Sequence, residues 1–171
     1  MKNIEKIEQS RYVLARFDHY IEGANSKGNF LLAFSAFLFG FIVTSFKTIV
    51  EFNCSAAKAF TIGLLVTTLI LGLISIAFTI AAVFPFLKTN NSSSKKYHSL
   101  VFFNSIANME ENQFLKQYKN QKDKKAFKDM AKQIYALSKG LKNKYFRISW
   151  AIRFVFAQLA LLFLIIIIKI I

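Results

Sequence analysis

Hydrophobic residues along this chain gather in three long runs, at positions 29–46, 59–87 and 150–168. As helices at about 1.5 Å per residue, these runs would extend roughly 27, 43 and 28 Å. The hydrocarbon core of a bilayer is about 30 Å thick, and about 20 mostly apolar residues cross it as a helix. The second run holds no charged residue over 29 positions. Three such runs within 171 residues predict an integral membrane protein.

A charged arm, residues 1–28, precedes the first run. Apolar residues recur in it at helical spacing, which predicts an amphipathic helix over residues 3–24. These residues are Ile4, Ile7, Leu14, Phe17 and Ile21. Gly23, Asn25 and Gly28 then predict a hinge before the first span, with Asn29 as the cap of that span.

A polar linker at residues 89–94 follows the second run and opens a long basic segment. We expect one helix over 95–118, a turn at 120–123 and a second helix from Lys124 that continues into the third run. The second helix carries a short apolar seam at 3-4-3-4 spacing. Its members are Phe127, Met130, Ile134, Leu137 and Leu141.

The predicted fold is an all-α membrane protein. It has three transmembrane helices, an N-terminal amphipathic helix and a cytosolic antiparallel helix pair. The predicted division is an arm at 1–28, a transmembrane hairpin at 29–87, a basic helical segment at 88–149 and a last transmembrane helix at 150–171.

Charge is distributed unevenly among the parts outside the runs. Residues 1–29 carry five basic and four acidic residues, and residues 47–58 carry two basic and one acidic residue. Residues 88–149 carry fourteen basic and four acidic residues. Basic loops stay on the cytoplasmic side of a membrane. This predicts a multi-pass membrane protein with the N-terminus and segment 88–149 in the cytoplasm. Loop 47–58, with the single cysteine Cys54, and the C-terminus would lie outside.

The chain has no recognisable set of catalytic residues, so we expect a non-enzymatic protein. His98 with Glu110 and Glu111 matches no ligand spacing for a metal, and we expect none. The lysine-rich stretch 116–132 is typical of a solvated face that enforces topology, with attraction to anionic lipid head groups as the next interpretation. Binding of a nucleotide or nucleic-acid phosphate is the third interpretation of this stretch. We expect no nucleic acid as a partner.

The second run carries small and hydroxyl residues on one helical face, at steps of 7, 4, 3 and 4. They are Thr61, Thr68, Gly72, Ser75 and Thr79. Small residues let helices approach closely, and hydroxyls form hydrogen bonds across the contact. We expect this stripe to pack against Ser35 and Gly40 of the first run; the alternative is a subunit interface or a pore lining. Gln158, near the middle of the third run, is expected to bond to a neighbouring helix.

Two stretches resemble the Pycsar effector transmembrane family of bacterial antiphage membrane proteins. In residues 16–34, the family's helical arm ends in a polar residue, any residue, Lys and a small residue, here Asn25, Lys27 and Gly28. The second stretch, before the last run, carries Asp129, Gln133, Leu137, Lys144 and Tyr145.

The resemblance implies a membrane effector paired with a uridylate or cytidylate cyclase that senses phage infection. Cyclic UMP or cyclic CMP would then trigger membrane impairment and growth arrest or death. If the nucleotide binds this chain directly, we expect it among Asn25, Lys27, Lys144 and Tyr145, which lie at the inner ends of spans one and three. We further expect a homo-oligomer in the lipid bilayer.

Two other functions remain open from the sequence. One is a non-enzymatic membrane scaffold or sensor subunit whose basic helices dock a protein partner. The other is a small channel-like protein, although no span carries an acidic ring or a filter-like segment.

Overall fold

The computed structural model describes residues 2–51, 55–84 and 99–170. Cys54, Pro85, His98 and the linker at 89–94 therefore lie outside the described residues. The described parts are helical, without strands. In chain order the helices are α1 (Lys2–Thr44), α2 (Phe46–Val50), α3 (Ser55–Val83), α4 (Phe103–Ala107), α5 (Glu111–Lys119) and α6 (Asp123–Ile170).

Three of these helices, α1, α3 and α6, are long and apolar enough to cross a membrane. Helix α6 contains the whole of the third run, and α1 and α3 contain residues 29–44 and 59–83 of the first two runs. The prediction of an all-α membrane protein with three spans is thereby confirmed. The turn expected at 120–123 is also found, because α5 ends at Lys119 and α6 begins at Asp123.

The hinge predicted between residues 22 and 28 is wrong, and so is the cap at Asn29, because α1 continues through both without a break. The small residues there are explained by helix packing rather than by a hinge. Ala24 is fully buried in a cluster with Ala82 and Ile148. A Cβ added to Gly28 would lie 2.5 Å from Val83 Cγ2, so glycine permits close approach of α1 to α3.

The chain divides into two compact units. The basic unit comprises residues 1–22 and 85–142, and the spanning unit comprises residues 23–84 and 143–171. Helices α1 and α6 contribute residues to both.

In the spanning unit, apolar clusters join α1, α3 and α6. One contains Leu31, Leu38, Ala151 and Val155, with Phe34 and Phe78 packed against it. A second cluster contains Ile42, Val50, Leu65 and Ile165. Large apolar side chains also cover the outside of this unit, including Phe37, Phe156 and Phe163, each about two-thirds exposed. Such an exterior suits hydrocarbon rather than water.

Two cations of α6 bind backbone carbonyls near helix C-termini. Arg147 donates to the carbonyl of Ala81, two residues before α3 ends. Lys169 donates to the carbonyl of Thr48 in α2. The last carbonyls of a helix lack intrahelical partners and carry partial negative charge. A cation there supplies a hydrogen-bond donor and a compensating positive charge. We call the end of the spanning unit that contains Lys144 the Lys144 end, and the opposite end, which contains Lys169, the Lys169 end.

In the basic unit, the N-terminal arm packs against the start of α6. A shallow cleft is lined by residues of both segments, and the Lys6 ammonium lies 5.7 Å from the centre of the Phe127 ring. All five seam residues of α6 are partly buried. The arm contributes Lys6, Gln9, Ser10 and Val13 to this cleft rather than the predicted apolar face, of which Ile4 is exposed, and α6 contributes Phe127 and Ile134 of the seam.

The single helix expected over 95–118 is wrong for its described part. Residues 99–102 are not helical, and residues 108–110 separate α4 from α5. Side chains take over the backbone hydrogen bonding at this point. Ser99 Oγ accepts from the backbone N–H groups of Val101 and Phe102, at 3.2 and 3.1 Å. This local bonding competes with helix continuation.

A buried polar network holds that segment on α6. The Asp129 carboxylate accepts a 2.8 Å hydrogen bond from the backbone N–H of Leu100, and Gln133 donates to Ser99 Oγ at 3.2 Å. Ser105 Oγ accepts from the Ser99 backbone N–H at 2.9 Å. Asp129, Ser99 and Ser105 are all at most 4% exposed. Asp129 and Gln133 are one turn apart and so reach the same segment.

Replacement of Asp129 by Ala should free the segment 99–107. The Leu100 N–H loses its acceptor inside the unit, which costs about 1–3 kcal/mol. Hydrogen exchange of the peptide covering these residues should become faster in Asp129→Ala. The control is Lys128→Ala, an exposed neighbour on the same helix, which should leave exchange unchanged. Equal protection in both variants would contradict this role for Asp129.

Candidate functional site

The stripe of small and hydroxyl residues faces the interior of the spanning unit. All five members are buried, and Thr61, Thr68, Ser75 and Thr79 are completely so. Ser35 of α1, expected as their partner, is also completely buried, and its Oγ lies 3.5 Å from Ser75 Oγ. Gly40, the other expected partner, is exposed, and a Cβ there would meet nothing within 4 Å. The prediction for Gly40 is therefore wrong.

Most of the buried hydroxyls donate to backbone carbonyls. Thr68 and Thr79 donate to the carbonyls of Leu64 and Ser75, each at 2.8 Å and four residues back on their own helix. Ser75 instead reaches across to α6 and donates to the Ala151 carbonyl at 3.0 Å. Ser75 is thus the hydroxyl through which α3 is bonded to both neighbouring helices.

Gly72 lies against Gln158 of α6. A Cβ built on Gly72 would be 2.5 Å from Gln158 Nε2 and 3.3 Å from its Cδ. The glycine therefore provides the space that the Gln158 side chain occupies. The expected polar bond of Gln158 to a neighbouring helix is replaced by close packing against a residue without a side chain.

Two buried side chains have no hydrogen-bond partner among the described residues. They are Gln158, through both its Oε1 and Nε2, and Thr61, through its Oγ1. Both side chains are completely buried. Loss of hydration by an unpaired amide or hydroxyl costs about 1–3 kcal/mol. The interior of the spanning unit therefore contains hydrogen-bond donors and acceptors that have no partner among the described residues.

Two of the four predicted ligand residues meet at the Lys144 end. Lys144 Nζ donates a 2.5 Å hydrogen bond to Asn25 Oδ1, joining α6 to α1. Burial lowers the pKa of the Lys144 ammonium, because desolvation disfavours its charged form. Lys27 and Tyr145 are exposed. The structure thus brings together Asn25 and Lys144 and leaves Lys27 and Tyr145 on the surface.

Sequence reasoning missed the contributions of Arg147 and Asp129. Arg147 was one more basic residue in a basic segment, and its bond to the Ala81 carbonyl depends on the packing of α6 against α3. Asp129 carried a usable signal, because an acidic residue among lysines sits one turn from Gln133 and next to Met130 of the seam. No group of three or more His, Cys, Asp or Glu residues suited to a metal occurs in the part of the chain that the structure describes.

Replacement of Gly72 by Ala should destabilise the spanning unit by about 1–3 kcal/mol, because the new methyl overlaps the Gln158 amide. Thermal unfolding in detergent should show a lower midpoint. Gly63→Ala is the matched control on the same helix, since a Cβ there meets nothing within 4 Å. It should be neutral or slightly stabilising.

The double variant Gly72→Ala with Gln158→Ala tests whether the two positions are coupled. Removal of the amide makes room for the methyl, so the effects of the two changes should not add, with a coupling of about 0.5–3 kcal/mol. Additive effects would show that Gln158 is not what Gly72 accommodates.

A family model described as the Pycsar effector protein domain matches residues 9–171. The match begins in the arm and includes all three spans, Asp129, Gln133 and Lys144. No curated protein and no solved structure matches the chain. The chain therefore belongs to the Pycsar effector family, as a multi-pass membrane effector of antiphage defence.

Proposed function

We propose that this protein impairs membrane integrity, without catalysis, when a cyclic pyrimidine nucleotide reaches the Lys144 end of its spanning unit. Membership in the effector family supports a role in defence beside a nucleotide cyclase. Helices with an apolar exterior and a polar interior support action within the bilayer itself.

The observation that carries the proposed trigger is the contact between Lys144 and Asn25. Among the described residues, the partly buried Lys144 ammonium bonds to a neutral amide, and such an ammonium favours an anion because a negative charge offsets the desolvation of the cation. Cyclic UMP and cyclic CMP each carry one phosphodiester charge. Lys144 would bind that phosphate, and Asn25 would be freed for the polar edge of the base.

The exposed side chains beside this contact complete the proposed site. Tyr145, 38% exposed, offers a ring on which a pyrimidine can stack, and Lys27 offers a second cation. Separation of Lys144 from Asn25 would loosen α6 from α1 at this end. Because α6 runs unbroken past Gln158 to Ile170, a rotation at Lys144 would be carried along the span.

The same proposal includes orientation in the bacterial inner membrane. The Lys144 end and the basic unit would face the cytoplasm, where the cyclase product is made, and the Lys169 end would face outward. The excess of basic residues in segment 88–149 supports this orientation. Several copies would assemble in the membrane.

Co-expression with an active pyrimidine cyclase should depolarise cells that contain the wild-type protein. Lys144→Gln should abolish this response, since the neutral side chain cannot bind the phosphate. Lys142→Gln is the control, because Lys142 is exposed and two residues away. A potential-sensitive dye, with immunoblots of membrane fractions for protein level, is the measurement. An intact potential in wild-type cells would contradict the function, whereas depolarisation by Lys144→Gln would contradict only the site.

The orientation predicts that a membrane-impermeant maleimide labels Cys54 in intact spheroplasts. Glu111→Cys, made with Cys54→Ser, provides the matched control, because Glu111 is exposed in the basic unit. That cysteine should react only after lysis. The reverse pattern of labelling would overturn the orientation.

A further inference from the structure

The interior of the spanning unit contains buried polar side chains from all three of its long helices. Six polar side chains in it are completely buried, while the large apolar side chains of the same helices face outward. The six are Ser35, Thr61, Thr68, Ser75, Thr79 and Gln158. Packed membrane helices use small residues and hydroxyls that bond across the contact, yet Thr61 and Gln158 make no such bond among the described residues.

These side chains follow the length of α3 rather than gathering at one depth. From Thr61 to Thr79 the helix rises about 27 Å, close to the roughly 30 Å of the hydrocarbon core. Gln158 lies between them, opposite Gly72, and Ser35 lies opposite Ser75. The line of polar groups therefore extends nearly across the bilayer inside the protein.

Between Thr61 and Thr79, one large apolar side chain interrupts the polar face of α3 itself. Leu65 lies between Thr61 and Thr68 on α3, and it packs with Ile42 of α1 and Ile165 of α6. Leu65 and Ile42 are completely buried, and Ile165 is 3% exposed. A ring of apolar side chains from three helices excludes water, as hydrophobic constrictions do in channels. We call these three residues the apolar seal.

Unpaired polar groups lie on both sides of the apolar seal. Gln158 lacks a partner on the Lys144 side and Thr61 lacks one on the Lys169 side, as far as the described residues extend. The hydroxyls of Thr68 and Thr79 bond to their own helix, so they could turn to water without loss of a contact between helices. Water that reached Gln158 or Thr61 would therefore find a hydrogen-bond partner on either side of the apolar seal.

We propose that this internal line is the lining of a water and ion path, closed at rest by Ile42, Leu65 and Ile165. The path takes water and small hydrated ions, and the outward apolar faces remain in lipid when it opens. This inference rests on the proposed function, since it names the route by which the membrane is impaired. In this inference the apolar seal closes the path, and separation of α1, α3 and α6 opens it.

The first test needs no nucleotide. Leu65→Thr places a hydroxyl in the apolar seal and should admit water, so liposomes of phosphatidylethanolamine and phosphatidylglycerol containing this full-length variant should lose a potassium gradient unprompted. We expect a leak at least about tenfold above wild type, because a dewetted constriction conducts once wetted. Val66→Thr is the matched control at the same depth, since Val66 is 45% exposed toward lipid. It should not leak.

Tight liposomes with Leu65→Thr, at equal protein content and with unchanged helix content by circular dichroism, would overturn the inference. So would an equal leak from Val66→Thr. Neither result depends on the trigger, so both are distinguishable from failure of the proposed function.

Cysteine accessibility provides the second test. In the Cys54→Ser background, a charged methanethiosulfonate should modify Thr68→Cys and Ser75→Cys when cyclic UMP or cyclic CMP opens the protein. Labelling should rise at least about tenfold, because only a hydrated thiol ionises readily. Val66→Cys and Leu73→Cys, on the lipid-facing side of α3, are the controls and should stay unmodified.

Nucleotide-induced leak with modification of the lipid-facing cysteines instead would show a path between copies and overturn the inference. Absence of any nucleotide-induced leak in the wild type would contradict the proposed trigger, and the Leu65→Thr arm would then decide the inference alone.

Discussion

Contact between α3 and its two neighbours is the interaction on which the spanning unit depends. In a bilayer the apolar outsides of helices gain little by leaving lipid, so association must come from close packing and polar bonds. Gly28 lets α1 approach Val83, and Gly72 makes room for Gln158. Ser75 links α3 to Ser35 on one side and to the Ala151 carbonyl on the other. Without these contacts the three apolar helices would have little to hold them together.

Polar capacity is distributed differently at the ends and in the middle of this unit. At the ends, Arg147 and Lys169 satisfy carbonyls of α3 and α2, and Lys144 binds Asn25. In the interior, Gln158 and Thr61 have no hydrogen-bond partner among the described residues. Satisfied cations at the ends together with unpaired polar groups in the interior favour a state that is stable at rest yet would gain hydrogen bonds from water. That combination suits an effector that must be harmless until it is triggered.

The sequence predicted some parts of the basic unit and missed others. The turn near residue 120 and the apolar seam were readable, because turn residues and helical periodicity are local signals. The non-helical residues 99–102 were not, since the bonds of Ser99 and Leu100 to Gln133 and Asp129 join residues about thirty positions apart. The same limit explains the false hinge: Gly23 and Gly28 indicate flexibility by local rules, while α1 continues through both and tertiary packing uses the small size of Gly28.

By itself the sequence determined the membrane class, the number of spans and the face of α3 that carries small and hydroxyl residues. These follow from apolar length and from the 3.6-residue period, which any helix must obey. Only the tertiary structure decided that this face is interior and that its partners are Ser35, Ala151 and Gln158 rather than Gly40. It also placed Leu65 with Ile42 and Ile165, because contacts between helices depend on their register, which no period within one helix specifies.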